Sequence, residues 1–114
     1  MAEFSFAAPI LPGKTDAWRN AVAEINGARS AAYKESRKKL GIRREHVSLQ
    51  STPMGDMAIV HMEAPDHQSV MRGMLQSTGE FDTWFRDNVL VGVHGFDPKA
   101  APPPPVTVIL DHKG

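Results

Sequence analysis

Cysteine is absent from the 114 residues, so disulfides, thiolate metal sites and cysteine nucleophiles are excluded. Neither sign of charge is in excess: 13 Lys and Arg stand against 13 Asp and Glu, a formal net charge of zero. Nucleic-acid binding draws on a net basic surface, so that class is set aside. No apolar run approaches the roughly 20 residues of a membrane span. The opening Met1-Ala2-Glu3-Phe4 lacks the basic and apolar stretches of a signal peptide, and a cytoplasmic protein is expected. The nine glycines are scattered and form no phosphate loop, dinucleotide fingerprint or nucleophile elbow, which removes kinase, dehydrogenase and serine-hydrolase readings. What is present is a chain of single-domain length with 41% hydrophobic residues, enough for one thin core.

Periodicity organises residues 1–97. Phe4-Ser5-Phe6-Ala7-Ala8 alternates and predicts a strand that Pro9, Pro12 and Gly13 end. Thr15 is placed to cap a helix carrying Trp18, Val22 and Ile25 on one stripe. Asn26-Gly27 interrupts it, and a second helical run from Ala28 ends at Leu40 with Gly41 as its left-handed cap. His46 to Gln50 and Met57 to Glu63 predict a hairpin around Thr52-Pro53-Met54-Gly55-Asp56. Asp66 caps a helix that buries Val70, Met71 and Met74 and breaks at Ser77-Thr78-Gly79. Phe81, Trp84 and Phe85 share a short helix, and Val89 to Phe96 is predicted as a last core strand.

The order strand, helix, strand, strand, helix, strand is the ferredoxin-like βαββαβ arrangement, an α+β fold whose antiparallel sheet carries helices on one face. The bare face then needs a cover. An RNA-binding module of this topology would need aromatic residues on the third strand. The segment Gly55 to Met62 offers Met and Ile instead, so a protein partner or a ligand is expected over an apolar, Met-rich face. Residues 98–114 form a second region. Pro102 to Pro105 make a stiff extended spacer, and Val106-Thr107-Val108-Ile109-Leu110 is a β-forming run. That run is either a further strand on its own sheet edge or an arm that pairs with a second subunit.

Several stretches carry a resemblance. Leu11-Pro12-Gly13-Lys14 leads into Trp18; Ser36-Arg37 precedes Leu40-Gly41-Ile42; Gln50 to Asp56 forms the turn; and Phe81-Asp82-Thr83-Trp84-Phe85-Arg86 runs into Val93-His94-Gly95-Phe96-Asp97. Over roughly Phe4 to Asp97 the chain resembles an uncharacterised bacterial group in the dimeric α+β barrel superfamily. The resemblance implies a homodimer whose sheets close a barrel around a ligand cavity. The wider superfamily includes cofactor-independent monooxygenases, haem-handling enzymes, small isomerases and stress-responsive proteins, so the fold implies a cavity without fixing a chemistry.

Strand parity places Met57, Ile59, His61 and Glu63 on one face of the third strand, and His94 with Leu90, Gly92 and Phe96 on the last. If these faces converge, His61 and His94 are the catalytic candidates, as general bases near neutral pH or as metal ligands, and Gln50 orients a substrate. Arg29, Tyr33 and Arg37, four apart, share one helical face that suits an anionic group. Trp84 is a candidate cavity wall. No closely spaced metal motif such as H-x-x-x-H occurs, so no metal or cofactor is expected. Asp82, Arg86 and Asp87 are expected to form surface pairs. The first expectation is a small-molecule-binding protein, with a cofactor-independent enzyme of monooxygenase or isomerase type as its catalytic form. The alternative is a non-catalytic dimeric interaction or stress-response module.

Overall fold

The computed structural model describes residues 2–114, which build a mixed α+β fold with four α-helices and one open antiparallel sheet. Strands β1 (Ala2–Pro9), β2 (Arg44–Thr52) and β3 (Gly55–Ala64) lie in the order β1-β3-β2. The register sets Ser5 and His46 against His61, and Ala7 and Ser48 against Ile59. Alternation then sorts the sheet. Phe6, Ala8, Ala58, Val60, Met62 and Ala64 are buried toward the helices. Glu3, Ser5, Ala7, His46, Ser48, Gln50, Met57, Ile59, His61 and Glu63 share the opposite parity and face away from that core. This outer face is less apolar than expected: Met62 turns into the core, and Ala7, Pro9, Met57 and Ile59 are its apolar centre. The hairpin closes on Gly55 at φ 123°, a value that glycine adopts without the cost a Cβ would bring.

Helices α1 (Thr15–Asn26) and α2 (Ser30–Lys39) bridge β1 to β2. Trp18 and Ala21 are buried from α1, and the chain breaks at Gly27 as its amide bonds Glu24. Thr15 does not cap α1. Its hydroxyl donates instead to Asp56 Oδ2 at 2.6 Å, tying the helix start to the β2–β3 turn. That bond, with one from Ser51, holds the Asp56 carboxyl below its ordinary pKa. Helix α3 (His67–Gln76) is capped as expected, Asp66 Oδ2 accepting from the Ser69 amide at 2.9 Å.

The largest departure lies at 80–96. Helix α4 (Glu80–Phe85) runs on into wide π-helical turns over Arg86–Val91, and 89–96 is not a strand. The Gly92 amide bonds Asp87 O and the His94 amide bonds Val89 O, both five residues back. The reason is a spacing that β-rich composition hides. Phe81, Phe85, Val89 and Val93 recur every four residues, and all four are buried. In a regular α-helix such a stripe drifts by about 40° per step, and wider turns reduce the drift so that it stays on the core. The full βαββαβ order therefore does not appear, and β1 keeps a free edge. Asp82 and Arg86 are not surface pairs either. Asp82 accepts from the Ser36 hydroxyl, and Arg86 donates to the carbonyls of Leu75 and Ser77, fixing the end of α3. Residues 98–114 contain no helix or strand.

Candidate functional site

Between the inner face of the sheet and the helical layer lies a cavity of about 430 Å³. Its walls are mostly apolar: Phe6, Ala58, Val60 and Met62 from the sheet, Trp18, Val22 and Ile25 from α1, Met71 and Met74 from α3, and Phe85, Val89 and Leu90 from the last helical run. The opening lies toward β2 and the end of α1, where the lining residues Asn26, His46 and Val47 are exposed; Val47 is 41% exposed although its parity is inward. A sealed, dry void of this size would cost about 10 kcal/mol at ~24 cal/mol per Å³, as much as a small domain's whole net stability. The space is not a sealed void: it opens on the β2 side, while most of its wall side chains stay buried.

His94 is the polar group the cavity holds most simply. The chain reversal after the π turns brings it to the end of β1, where its Nδ1 lies 2.9 Å from the Pro9 carbonyl. A carbonyl only accepts, so Nδ1 carries the hydrogen and Nε2 is an unprotonated acceptor. Among the described residues Nε2 has no partner, and unlike His67 Nε2 it is not sealed from solvent. Burial pushes the His94 pKa below its ordinary value, against an opposing contribution from the Pro9 bond. The ring is thus neutral near pH 7 and can accept a hydrogen bond, or a proton, from a bound molecule.

The second polar group is a buried charge network on the far wall. Arg37 Nε donates to Glu45 Oε1 at 2.8 Å, with side chains 6% and 8% exposed. Tyr33 donates its hydroxyl to the same oxygen at 2.6 Å. The Arg37 guanidinium also stacks 4.5 Å from the Phe85 ring and 4.7 Å from the Tyr33 ring. Burial first, then the Glu45 carboxylate, raise the Tyr33 pKa far above its ordinary value, so the phenol remains a donor. Glu45 already occupies Arg37 and Tyr33, so this corner is a self-satisfied wall rather than an open anion receptor.

Of the residues singled out from the sequence, His94, Tyr33 and Arg37 come together around this cavity. His61 and Gln50 do not: they share the outer face, where His61 Nδ1 lies 2.8 Å from Ser5 Oγ and Nε2 lies 3.4 Å from Glu3 Oε1. Arg29 and Trp84 form a pair outside the cavity, the guanidinium 4.0 Å from the indole ring. Two residues escaped sequence reasoning. Glu45 carries a legible signal, since it continues the inward parity of Val47 and Leu49 and so marks a carboxylate pointing into a core. His67, buried against Phe4 and Phe6, carries none. Among the described residues no cluster of three or more His, Asp or Glu could hold a metal ion, and no helix is long and apolar enough to cross a membrane. Set against known proteins, the chain matches no family model, no curated protein and no solved structure.

Proposed function

We propose that this chain binds a small, mainly apolar molecule in the cavity between its helices and sheet, with an O–H or N–H of that molecule donated to His94 Nε2. The observation that carries the reading is the conjunction of a 430 Å³ apolar space with one tautomer-fixed, unpartnered imidazole nitrogen. An enzyme built on it works as a proton-transfer isomerase. His94 takes a proton from an acidified position of the ligand, the imidazolium is held by its Nδ1–H bond to Pro9, and Nε2 returns the proton elsewhere on the same molecule. His61 has no part in that chemistry, and Tyr33, Arg37 and Glu45 shape the wall.

A homodimer through the outer sheet face belongs to the same proposal, with Ala7, Pro9, Met57 and Ile59 as the contact centre. The test of the ligand site uses phenol and toluene, molecules of similar shape that differ in one hydroxyl. Titration of each, followed through the methyl resonances of Met62, Met71 and Met74, should show both entering the cavity. The ratio of phenol to toluene affinity should fall about tenfold in His94→Asn, the worth of one hydrogen bond of ~1.4 kcal/mol. Asparagine keeps a donor near Pro9 and removes only the Nε2 position. Methyl resonances that ignore both probes overturn the reading.

A further inference from the structure

The free edge of β1 and the run Val106–Leu110 explain each other. Among the described residues strand β1 pairs only with β3, so the amides and carbonyls of Glu3, Ser5 and Ala7 point away from the sheet along an edge with no charged or bulged protection beyond Glu3. The run is rich in β-formers, and Val106, Val108, Ile109 and Leu110 are 54%, 72%, 94% and 84% exposed. The two already touch: the Val106 amide donates to Ser5 O at 2.7 Å. We propose that Val106–Leu110 is the fourth strand of this sheet, laid on the β1 edge of its own chain, and that the Val106–Ser5 bond is the first rung.

The direction follows from where the chain comes from. Bonds from His94 to Pro9 O and from the Leu11 amide to Val93 O fix the preceding segment at the far end of β1. From there the proline spacer reaches Ser5, four residues back along β1, so the chain runs against β1. Eight residues at about 3.1 Å each are ample for that path. An antiparallel strand through Val106 opposite Ser5 sets Thr107 opposite Phe4, Val108 opposite Glu3 and Ile109 opposite Ala2.

A separate observation meets that register. His67 is 8% exposed, its ring stands edge-on to Phe4 at 4.9 Å, and its Nε2 has no hydrogen-bond partner. Thr107, opposite Phe4 and of the same inward parity, brings a hydroxyl to the side of β1 where that nitrogen is stranded. Buried polar atoms are rarely left unpaired, and the Thr107 hydroxyl satisfies this one. The strand covers Phe4 and His67 on the β1 side. It also sets Val106 and Val108 on the outer face beside Ser5 and Glu3.

Amide hydrogen exchange on the full chain tests this residue by residue. The amides of Glu3 and Ser5 should exchange more slowly than that of Ala7, on the order of tenfold or more, because the strand begins at Val106 and Ala7 lies beyond its first rung. Val108→Pro removes the donor opposite Glu3 and should release the Glu3 and Ser5 amides while the β1–β3 amides stay protected. Thr107→Val, nearly the same shape, should move the His67 Nε2 resonance and leave those of His61 and His94 unchanged. Equal, fast exchange at Glu3, Ser5 and Ala7 overturns the proposal. Protection that grows with protein concentration overturns it too, since the strand then comes from a second copy. An unmoved His67 resonance overturns the Thr107 contact.

Discussion

Alternate residues of β3 live in two different media. Toward the helices, Ala58, Val60, Met62 and Ala64 are sealed in the core, and the carboxylate that reaches that side from β2, Glu45, is held by a buried guanidinium and a phenol. Toward the open side, His61 and Glu63 are only half covered, and the ion pair there, Arg44–Glu63, spans 3.9 Å with side chains 60% and 34% exposed. The sheet thus carries one Arg–Glu pair on each side, Arg37–Glu45 within and Arg44–Glu63 without, and a hydrogen-bonded histidine on each, His94 and His61. Side chains of the same chemistry do different things because water reaches one set and not the other.

The ion pairs give the largest expected contrast. Arg37→Met strands Glu45 beside Tyr33 in a place that water scarcely reaches, and should cost about 3–5 kcal/mol of folding stability. Arg44→Met leaves Glu63 in contact with solvent and should cost less than ~1 kcal/mol. Urea unfolding of the two variants checks the difference, and equal losses would break the comparison.

The histidines come next. His94→Asn should lower the phenol-to-toluene affinity ratio about tenfold, and His61→Asn should leave it unchanged, because His61 spends its nitrogens on Ser5 and Glu3 across the sheet from the cavity. A ratio that moves with His61 would show that the sheet does not separate the two sites.

How much of this was legible depended on parity and spacing. The hairpin, both arms of the first helical pair and the Asp66 cap follow from alternation, apolar stripes and cap chemistry that are local in sequence. The segment 89–96 reads as a strand because Val89-Leu90-Val91 has strand composition, and it folds otherwise. The deciding signal was the four-residue spacing from Phe81 to Val93, which crosses the polar stretch Arg86-Asp87-Asn88. The same composition sets His94 on a strand with a partner in His61, whereas a helical run delivers it to the other side of the sheet. Convergence of His61 with His94 depends on which face β3 turns inward. That choice is made by Val60 and Met62 joining the same core as Val70, Met71 and Met74, a long-range fact that no local pattern holds.

Acid sharpens the contrast further. Burial depresses the His94 pKa, so the folded chain resists a proton that the unfolded chain accepts below about pH 6.5. The unfolded state then binds more protons, and stability falls as pH drops through that value, by at most ~1.4 kcal/mol per pH unit for one such group. It levels off below the folded pKa of His94. His67, depressed chiefly by its own burial, adds in the same direction. Urea midpoints between pH 7.5 and 5 should therefore decline in the native chain, and decline less steeply in His94→Asn. A variant as acid-sensitive as the native chain would show that the His94 ring is as wet as an outer-face residue.

The smallest effect on the fold is expected at Ile59, in the middle of the open side. It is half-buried between the small cross-strand neighbours Ala7 and Ser48, so glutamate there should lower the stability of a dilute chain by only about 0.5 kcal/mol. Its effect on association should be far larger. A second copy laid over Ala7, Pro9, Met57 and Ile59 would bury two facing carboxylates in Ile59→Glu, each without a cation, and such like-charge contact costs several kcal/mol. Sedimentation at high concentration should then show a dimer for the native chain and a single chain for the variant. An unchanged sedimentation profile would mean that the open face stays wet in solution, and that water rather than a twin is what His61 and Glu63 are built to meet.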